Sequence, residues 1–423
     1  MTSNSEREAF VWIWLPDETT PVVAGRLEVD NGNILFNYGK SYLDRIGGQP
    51  AAMPIYEPEL PLQAGLLSLP EGLTMPGCIR DAAPDAWGRR VIINKKLGLK
   101  GADTDTAELD ELTYLLESGS ERIGALDFQR SPTEYVQRSA NNVSMEELIG
   151  SAERVEKGVP LTPELDQALF HGSSIGGARP KALIQDQGRK YIAKFSSGTD
   201  LYSVVKAEFI AMRLAEIAGL NVAPVKLVKA ANKDVLLIER FDRQPKDGNW
   251  SRKAMVSALT LLGLDDMMAR YASYETLAEI IRHRFTDPKD TLRELFSRLA
   301  FNILCGNTDD HARNHAAFWN GETLTLTPAY DICPQSRTGN EASQAMLISG
   351  NNNMSQLKSC VEAANLFLLS DEDAYAIFAH LIETIENNWN VVCEEAELSE
   401  VDKKFFWGRQ FLNPYSTTTT SDS

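Results

Sequence analysis

The chain lacks the features that mark secreted, membrane-embedded and zinc-stabilised proteins. Its five cysteines are widely spaced, odd in number and without paired motifs, so no zinc site or disulfide framework is predicted. The amino terminus is polar, and no run of about eighteen apolar residues occurs, which predicts neither a secretory signal nor a membrane span. Together these absences predict a protein of the reducing cytoplasm.

Basic residues are also scarce, because 42 Lys and Arg stand against 59 Asp and Glu, giving a net charge of −17. Such a chain lacks the broad electrostatic footprint of a nucleic-acid-binding protein, so contact with DNA is expected only through a partner. The acidity suits a basic partner protein, or it serves solubility alone. With 423 residues, 43% apolar and 24% charged, the composition predicts a soluble enzyme with more than one lobe.

The most informative segment runs from Asn307 to Asn314 and is followed by Pro328–Asp331. In protein kinases, one Asp accepts the proton of the substrate hydroxyl, an Asn five positions later holds a metal ion, and a second Asp after a short hairpin also holds metal. The pattern predicts a phosphotransfer centre with Asp309 as the base and with Asn314 and Asp331 as magnesium ligands.

The surrounding residues predict how these side chains meet. A helical stripe of apolar residues ends at Gly306, a typical left-handed cap, which places the base in the loop that follows. Two predicted strands flank Asn320-Gly321, a strong hairpin signal. A two-residue turn there sets Asp331 opposite Asp310, and the register shifts if the next two residues join the loop.

A metallohydrolase is the sharper alternative, because Asp309, Asp310, His311 and His315 could together bind a transition metal. That interpretation leaves Asn314 and Asp331 without a role. The plainest interpretation is that these are ordinary loop and cap residues, with both histidines as exposed polar groups.

A second cluster, His171–Lys181, is rich in small residues and precedes two predicted strands. Glycines let backbone N–H groups approach phosphate oxygens, and a lysine on a strand can neutralise those phosphates. This order predicts nucleotide contacts from the loop and from Lys194, with Glu208 on the next helix as a possible partner of that lysine. The alternatives are an ordinary turn and a solvated lysine.

The strand that leaves this region runs into Glu239–Arg243. In a bilobal kinase, backbone groups of the hinge bind the adenine, so Glu239 and Phe241 are predicted nucleotide contacts through their main chain. The alternative is a plain salt-bridging surface formed by Arg240, Asp242 and Arg243.

These motifs resemble the HipA family of bacterial serine/threonine kinases, the toxin halves of type II toxin–antitoxin modules. The resemblance covers Ser174–Lys181, Ile238–Arg243, Asn307–Asn314, Tyr330-Asp331, and the amino-terminal segments Val11–Trp14, Leu60–Leu62 and Ala83–Arg90. It implies that Asp309 deprotonates or orients the acceptor hydroxyl, that Asn314 and Asp331 hold magnesium, and that Lys194 touches the phosphates of ATP. One segment departs from the pattern, since Ser251–Leu259 replaces the usual polar, acidic stretch, which leaves substrate choice open.

The resemblance also implies self-regulation and partners. Ser174 would be the self-phosphorylated serine, with Ser173 as the alternative, and its phosphate would be repelled from ATP and drawn to basic neighbours. The basic residues nearby in sequence are His171, Arg179 and Lys181. The same loop would contact the nucleotide through Ile175, Gly176 and Gly177. The implied partners are a HipB-like helix-turn-helix antitoxin, operator DNA bound indirectly through it, and a protein substrate of the aminoacyl-tRNA synthetase class.

The predicted fold is α+β, a bilobal protein-kinase-like fold with a β-rich amino-terminal subdomain and a mainly helical carboxy-terminal lobe. The predicted divisions are an amino-terminal subdomain at 1–110, a connecting region at 111–164, a nucleotide-binding small lobe at 165–243, a helical catalytic lobe at 244–413 and a disordered tail at 414–423. The predicted function is that of an ATP-dependent serine/threonine protein kinase. The alternative is a non-catalytic pseudokinase that acts as a corepressor with its antitoxin.

Overall fold

The computed structural model describes residues 6–97, 109–138, 147–151, 179–196, 200, 202–337 and 339–418. The chain divides into two compact units that are each built from separate stretches of sequence. Unit 1 comprises Met1–Thr199, Val228–Val256 and Phe318–Glu322, and unit 2 comprises Asp200–Leu227, Ser257–Ala317 and Thr323–Ser423. The five-part division made from the sequence stays a prediction.

The amino-terminal part of unit 1 contains an antiparallel sheet with the strand order β4-β3-β2-β1-β5. Its strands are β1 Glu8–Ile13, β2 Val22–Asp30, β3 Asn33–Tyr38, β4 Leu66–Leu67 and β5 Leu126–Gln129, and its short helices are α1 Lys40–Leu43 and α2 Gly77–Arg80. Leu27 and Phe36 pair across β2 and β3 and are fully buried. Val29, by contrast, is 46% exposed near the end of its strand.

A second sheet of unit 1 has the order β6-β7-β9-β8. Its strands are β6 Lys181–Asp186, β7 Arg189–Phe195, β8 Val225–Ala230 and β9 Lys233–Glu239, and the nearby helices are α3 Ala86–Leu97 and α4 Glu111–Glu117. Trp87 and Val91 of α3 share one buried cluster with Ala193 and Val235 of the sheet. The amino-terminal segment therefore supplies part of the core beneath the strands that carry Lys194.

Unit 1 also contains β10 Arg243–Lys246 and β11 Asn249–Arg252, which pair as an antiparallel hairpin. The chain then runs through β12 Ala254–Ser257 into unit 2. The hairpin follows directly on the predicted hinge segment.

Unit 2 is mainly helical. Its helices are α5 Val204–Ile217, α6 Ala258–Leu261, α7 Tyr274–Arg284, α8 Pro288–Cys305, α9 Leu357–Ala363, α10 Asp371–Glu395, α11 Glu400–Phe406 and α12 Pro414–Thr417. The apolar stripe that predicts a helix from Leu292 lies in α8, where Leu295, Phe296 and Leu299 are fully buried. The helix ends at Gly306 with φ 73°, the left-handed cap that the sequence predicts.

The hairpin after α8 pairs β13 Ala316–Trp319 with β14 Leu324–Leu326. Its loop has four residues rather than two, because Glu322 donates its backbone N–H to the Asn320 side chain at 2.9 Å. Thr327 donates its N–H to the Ala316 carbonyl oxygen at 3.0 Å, so the register is shifted by two residues from that of a two-residue turn. The expected pairing of Asp331 opposite Asp310 is therefore wrong in register.

The prediction of a disordered tail from Pro414 is wrong for its first residues. Asn413 caps α12 by accepting the Tyr415 N–H at 2.9 Å, and Ser416 is fully buried. The Ser416 hydroxyl also donates to the Asn413 carbonyl oxygen at 2.6 Å. This cap orders a segment whose Ser and Thr content suggested disorder, and residues 419–423 lie outside those described.

The fold is α+β, with a β-rich amino-terminal region and a helical carboxy-terminal region. Among the described residues, no helix combines the length and the apolar character needed to span a bilayer.

Candidate active site

The two predicted catalytic aspartates lie within electrostatic reach of each other in unit 2. Asp309 is exposed, but partial desolvation and the negative charges of Asp331 and Asp310 raise its pKa, while His311 acts in the opposite direction. A carboxylate with a raised pKa is a better proton acceptor than an ordinary aspartate. The loop after α8 and the segment after β14 thus bring the candidate base beside a second carboxylate.

Asn314 lies at the end of a 3-10 turn, Ala312–Asn314, and is only 8% exposed. Its side-chain Nδ2 donates to the Asp309 carbonyl oxygen at 3.1 Å. That bond fixes the amide orientation and leaves the Oδ1 atom as the group that could meet a cation. The same bond closes the loop around the candidate base.

Asp331 has φ 60°, in the left-handed region that non-glycine residues rarely adopt. The segment before it is held by two backbone hydrogen bonds, since Ala223 donates to the Ala329 carbonyl at 2.9 Å and Ala329 donates to the Asn221 carbonyl at 2.8 Å. An unusual conformation held by its surroundings is common where a side chain must be aimed.

The oxygen donors of Asp331 and Asn314 suit magnesium. Magnesium usually takes one or two protein oxygen ligands and completes its shell with water and substrate phosphates. Among the described residues, no three His, Cys, Asp or Glu side chains converge as metal ligands. The four-residue set of the metallohydrolase alternative is therefore not assembled among these residues, and magnesium binding by Asn314 and Asp331 stays a prediction.

The start of the catalytic loop is fixed at several points. A side chain at Gly306 would bring its Cβ within 2.7 Å of the Gln410 carbonyl oxygen, so this position needs glycine for space as well as for its positive φ. Gln344 donates through Nε2 to the Asn307 carbonyl at 3.0 Å, and Ala345 donates its N–H to the Thr308 carbonyl at 3.1 Å. The loop is therefore tied down before it reaches Asp309.

The side chain next to the candidate base points inward. Asp310 is 2% exposed, accepts a short hydrogen bond from the Tyr274 hydroxyl, and lies 2.8 Å from Nε2 of His315. Asn302 also hydrogen-bonds both the Asp310 carboxylate and the Tyr274 hydroxyl. These four residues are called the Tyr274 network below. The interpretation of His315 as an exposed group is wrong, since it is 3% exposed.

Electrostatics within the Tyr274 network favour an ionised Asp310. Burial alone would raise its pKa, but His315 and the hydrogen bonds from Tyr274 and Asn302 outweigh burial, and the net pKa is lowered. Burial and the nearby carboxylate raise the pKa of Tyr274 well above its usual value, which keeps the phenol protonated as a donor.

Lys194 lies half-buried on β7, where it pairs with Lys181 on β6 and with Leu236 on β9. Lys181 is 1% exposed, and its Nζ is 3.4 Å from a carboxylate oxygen of Asp85. That ion pair engages Lys181, and the attraction of a loop phosphoserine to its basic neighbours stays a prediction. Glu208 is buried on α5 in unit 2, and its pairing with Lys194 stays a prediction.

The two predicted hinge contacts end β9 and follow it. Glu239 pairs with Tyr191 of β7, and its side chain accepts from Arg189 at 2.5 Å. Phe241 is half-buried and packs edge-on against Phe318, with ring centroids 5.9 Å apart. Their main-chain contact with a nucleotide stays a prediction.

The charged residues of the hinge are buried, and the interpretation of a salt-bridging surface is wrong. Arg240, Asp242 and Arg243 are 4%, 2% and 4% exposed. Both guanidinium groups bind the Asp242 carboxylate, at 2.7 Å and 2.9 Å, and both donate to the Arg122 carbonyl oxygen. The Gly124 N–H completes the set by donating to Asp242 at 2.8 Å.

A second carboxylate, Glu121, completes this buried group. Its oxygens lie 2.6 Å from Lys190, 3.3 Å from Arg243, 3.5 Å from Arg240 and 4.0 Å from Arg252. The Glu121 cluster is defined as Glu121, Asp242, Lys190, Arg240, Arg243 and Arg252. Burial would raise the pKa of Glu121, but the surrounding cations outweigh it and lower the pKa well below its usual value. The cluster joins the hinge to the segment between α4 and β5.

Comparison with known families identifies the family to which this fold belongs. The model of the HipA-like C-terminal domain matches residues 173–389. The chain belongs to the HipA-like family.

Relatives within this family include the serine/threonine-protein kinase toxin HipA of Shewanella oneidensis, which is 26% identical over 185 residues, covering 38% of this chain and 42% of the relative. The putative kinase Y4mE of Sinorhizobium fredii is 26% identical over 337 residues, covering 73% of this chain and 74% of the relative. The chain thus matches less than half of the length of the first relative and about three quarters of the second.

Among solved structures, the Shewanella oneidensis MR-1 toxin–antitoxin complex of HipA, HipB and operator DNA matches with a TM-score of 0.68 at 20% identity. The match covers 96% of this chain and 95% of that chain. At this identity the likeness shows a shared fold, so the HipA fold extends over nearly the whole chain, including the β-rich amino-terminal region.

The glycine-rich segment, in which the sequence predicts a self-phosphorylated serine, falls outside the part of the chain that the structure describes. Ser173, Ser174, Ile175, Gly176 and Gly177 lie outside the described residues. Their contacts with nucleotide and the choice between the two serines stay predictions.

Sequence reasoning missed the residues that hold this HipA-type site in place. Tyr274 lies far from the catalytic loop in sequence, and no pattern in the neighbouring residues predicts a buried hydroxyl. Glu121 lies in a segment that was interpreted only as a connection. One signal was available, since Arg240, Asp242 and Arg243 directly follow a strand with a run of buried apolar residues, and charges at such a place often belong to a paired buried group.

Proposed function

We propose that this chain is an ATP- and magnesium-dependent serine/threonine protein kinase of the HipA toxin type. The observation that carries the proposal is that Asp309 and Asp331 lie close enough for their charges to interact, so that, after partial burial, the Asp331 carboxylate contributes to the raised pKa of the candidate base. Asn314 bonds the backbone of the same base. A base, a carboxylate and an amide oxygen in one loop system match what phosphoryl transfer from a nucleotide requires.

In the proposed reaction, the hydroxyl oxygen of a serine or threonine forms a bond to the γ-phosphorus of ATP. The bond between that phosphorus and the β–γ bridging oxygen breaks, ADP leaves, and the hydroxyl proton passes to the Asp309 carboxylate. Because the carboxylate is exposed and has a raised pKa, it is both reachable and suited to accept this proton.

Asn314 and Asp331 would hold magnesium, which would supply charge neutralisation at the phosphates when bound. Lys194 would contact the phosphates, and the main chain at Glu239 and Phe241 would contact the adenine. The Glu121 cluster supports this assignment, since it fixes the hinge backbone against buried carbonyl groups.

Regulation and partners follow from the family. We place the self-phosphorylation at Ser174, with Ser173 as the alternative, in the loop that includes Ile175, Gly176 and Gly177. A HipB-like helix-turn-helix antitoxin is the proposed partner, with operator DNA bound indirectly, and the setting is the cytoplasm. The proposed substrate is a protein, with aminoacyl-tRNA synthetases as the class to test first. The net charge of −17 suits a basic partner.

The test is incubation of the purified chain with magnesium and ATP, followed by mass spectrometry to map any phosphate. Asp309→Asn should reduce transfer by at least about a thousandfold, because the base is lost while the shape of the side chain is kept. Asp247→Asn is the matched control, since it makes the same change at an exposed hairpin position in unit 1.

The outcomes separate the alternatives. Phosphate on Ser174 or Ser173 that disappears in Asp309→Asn and persists in Asp247→Asn supports the kinase. Nucleotide binding without any transfer supports the non-catalytic corepressor instead. Hydrolytic activity that needs a transition metal but no nucleotide would overturn both.

A further inference from the structure

The catalytic loop contains two adjacent aspartates with opposite surroundings. Asp309 is exposed, whereas Asp310 is 2% exposed and surrounded by hydrogen-bond donors. Burying a carboxylate costs free energy unless hydrogen-bond donors satisfy its oxygens. The donors around Asp310 therefore fix the position of its side chain. The same backbone sets the direction of the Asp309 side chain.

The donors to Asp310 come from outside the loop. Tyr274 is the first residue of α7 and is fully buried, and its hydroxyl bonds the Asp310 carboxylate. The backbone N–H of Tyr274 donates to the Leu347 carbonyl at 2.8 Å, so the tyrosine is fixed at both ends. His315, which follows Asn314 directly, lies 2.8 Å from the other carboxylate oxygen.

The ring of His315 is held as well. It packs edge-on against the Tyr274 ring with centroids 5.4 Å apart, and its backbone carbonyl accepts from Ala258 at 2.7 Å. The loop is therefore fastened at Asp310, directly after the candidate base, and again at His315, directly after the turn that ends at the candidate amide ligand.

We propose that Tyr274 and Asp310 are positioning residues for the phosphoryl-transfer reaction, because they lock the catalytic loop so that Asp309 faces outward. This inference rests on the proposed kinase function. Neither residue contacts substrate in this account, and both act through the backbone of the loop. The orientation of Asp309 is therefore set by a tyrosine on a different helix and not by the loop sequence alone.

The test compares Tyr274→Phe with Tyr42→Phe. Both tyrosines are fully buried, and the Tyr42 hydroxyl donates to the Met53 carbonyl at 2.7 Å in the amino-terminal region of unit 1. Each variant therefore loses one buried hydroxyl, but only Tyr274→Phe removes a donor to Asp310. We expect Tyr274→Phe to lower kcat by about tenfold to a hundredfold, the loss that a misplaced catalytic group produces, with little change in the KM for ATP. Tyr42→Phe should leave both values unchanged.

Hydrogen–deuterium exchange gives a second readout that does not need activity. In Tyr274→Phe, the amides of residues 307–314 should exchange at least about tenfold faster than in the wild type, while those residues should be unaffected in Tyr42→Phe. Unchanged exchange in Tyr274→Phe, or a kcat equal to that of Tyr42→Phe, overturns the positioning role. A wild type without transfer would refute the proposed function, and the exchange experiment would still decide this inference.

Discussion

Each unit of this protein buries carboxylates beside a functional segment, but the two units neutralise them in different ways. In the Glu121 cluster, two carboxylates face four cationic side chains next to the hinge. In the Tyr274 network, one carboxylate faces a phenol, an imidazole and an amide. In the first arrangement several cations compensate the carboxylates, whereas in the second the charge interaction comes from one imidazole and the other donors are a phenol and an amide.

The difference has energetic consequences. Removing one partner of a buried ion pair leaves a charge without compensation, which costs more than the pair itself contributes. Removing one neutral donor from a carboxylate that keeps others costs about as much as a single hydrogen bond. Substitutions at the hinge should therefore mainly lower the free energy of unfolding. Substitutions at the catalytic loop should mainly disturb the geometry of the site.

The largest expected effect is that of Glu121→Gln. The side chain of Glu121 is 13% exposed, and neutralising it leaves Lys190 and Arg252 without their carboxylate while Arg240 and Arg243 keep only Asp242. We expect a loss of about 3–5 kcal/mol in the free energy of unfolding, measured by urea denaturation.

Glu8→Gln is the matched control for this change. Glu8 pairs with Arg26 at 3.3 Å on the surface of β1, where its side chain is 51% exposed. Such a pair contributes at most about 1 kcal/mol. If both variants lose the same small amount, the Glu121 cluster is not held by charge compensation, and the comparison between the units fails.

An intermediate effect is expected from pH, through Asp242. Burial would raise its pKa, but Arg240 and Arg243 outweigh burial and lower the pKa from 3.8 to about 2. A carboxyl group with a depressed folded-state pKa stabilises the fold above its unfolded pKa and loses that contribution as pH falls through the folded value. The contribution is roughly 2 kcal/mol, and about half of it should be gone near pH 3.

The measurement is the gap in unfolding free energy between wild type and Asp242→Asn, followed from neutral pH to about pH 3. The gap should narrow because the carboxyl group takes up a proton in the unfolded chain at a higher pH than in the folded protein. A gap that stays constant over this range would show that the arginines do not stabilise the ionised form.

Local sequence signals were sufficient to predict the helix that ends at Gly306 and the two strands that follow the glycine-rich segment. A left-handed glycine cap and an apolar stripe act within a few residues, so they can be recognised without tertiary structure. The four-residue hairpin loop was predicted only as the alternative to a two-residue turn, and the Asn320 side chain favours it by accepting the Glu322 N–H.

The residues that hold the site in place could not be predicted either, and the reason is different. Arg240 and Arg243 satisfy their donors mainly on the segment around Glu121 and Arg122, more than a hundred residues away in sequence. Charged side chains are usually exposed, so only the tertiary partners reveal that these are buried. The same holds for Tyr274, whose aromatic ring resembles any other core residue until its hydroxyl is seen against Asp310.

The smallest expected effect on stability is that of Tyr274→Phe. The variant keeps the ring that packs on His315 and removes one donor, while His315 and Asn302 still serve the Asp310 carboxylate. We expect a loss of about 1–2 kcal/mol in the free energy of unfolding by urea denaturation, close to that of Tyr42→Phe, which also loses one buried hydroxyl. A loss as large as that of Glu121→Gln would mean that Asp310 depends on Tyr274 as fully as Glu121 depends on its cations. In that case the two units would stabilise a buried carboxylate in the same way. The loop would then contribute to the stability of the fold as well as to the geometry of the site.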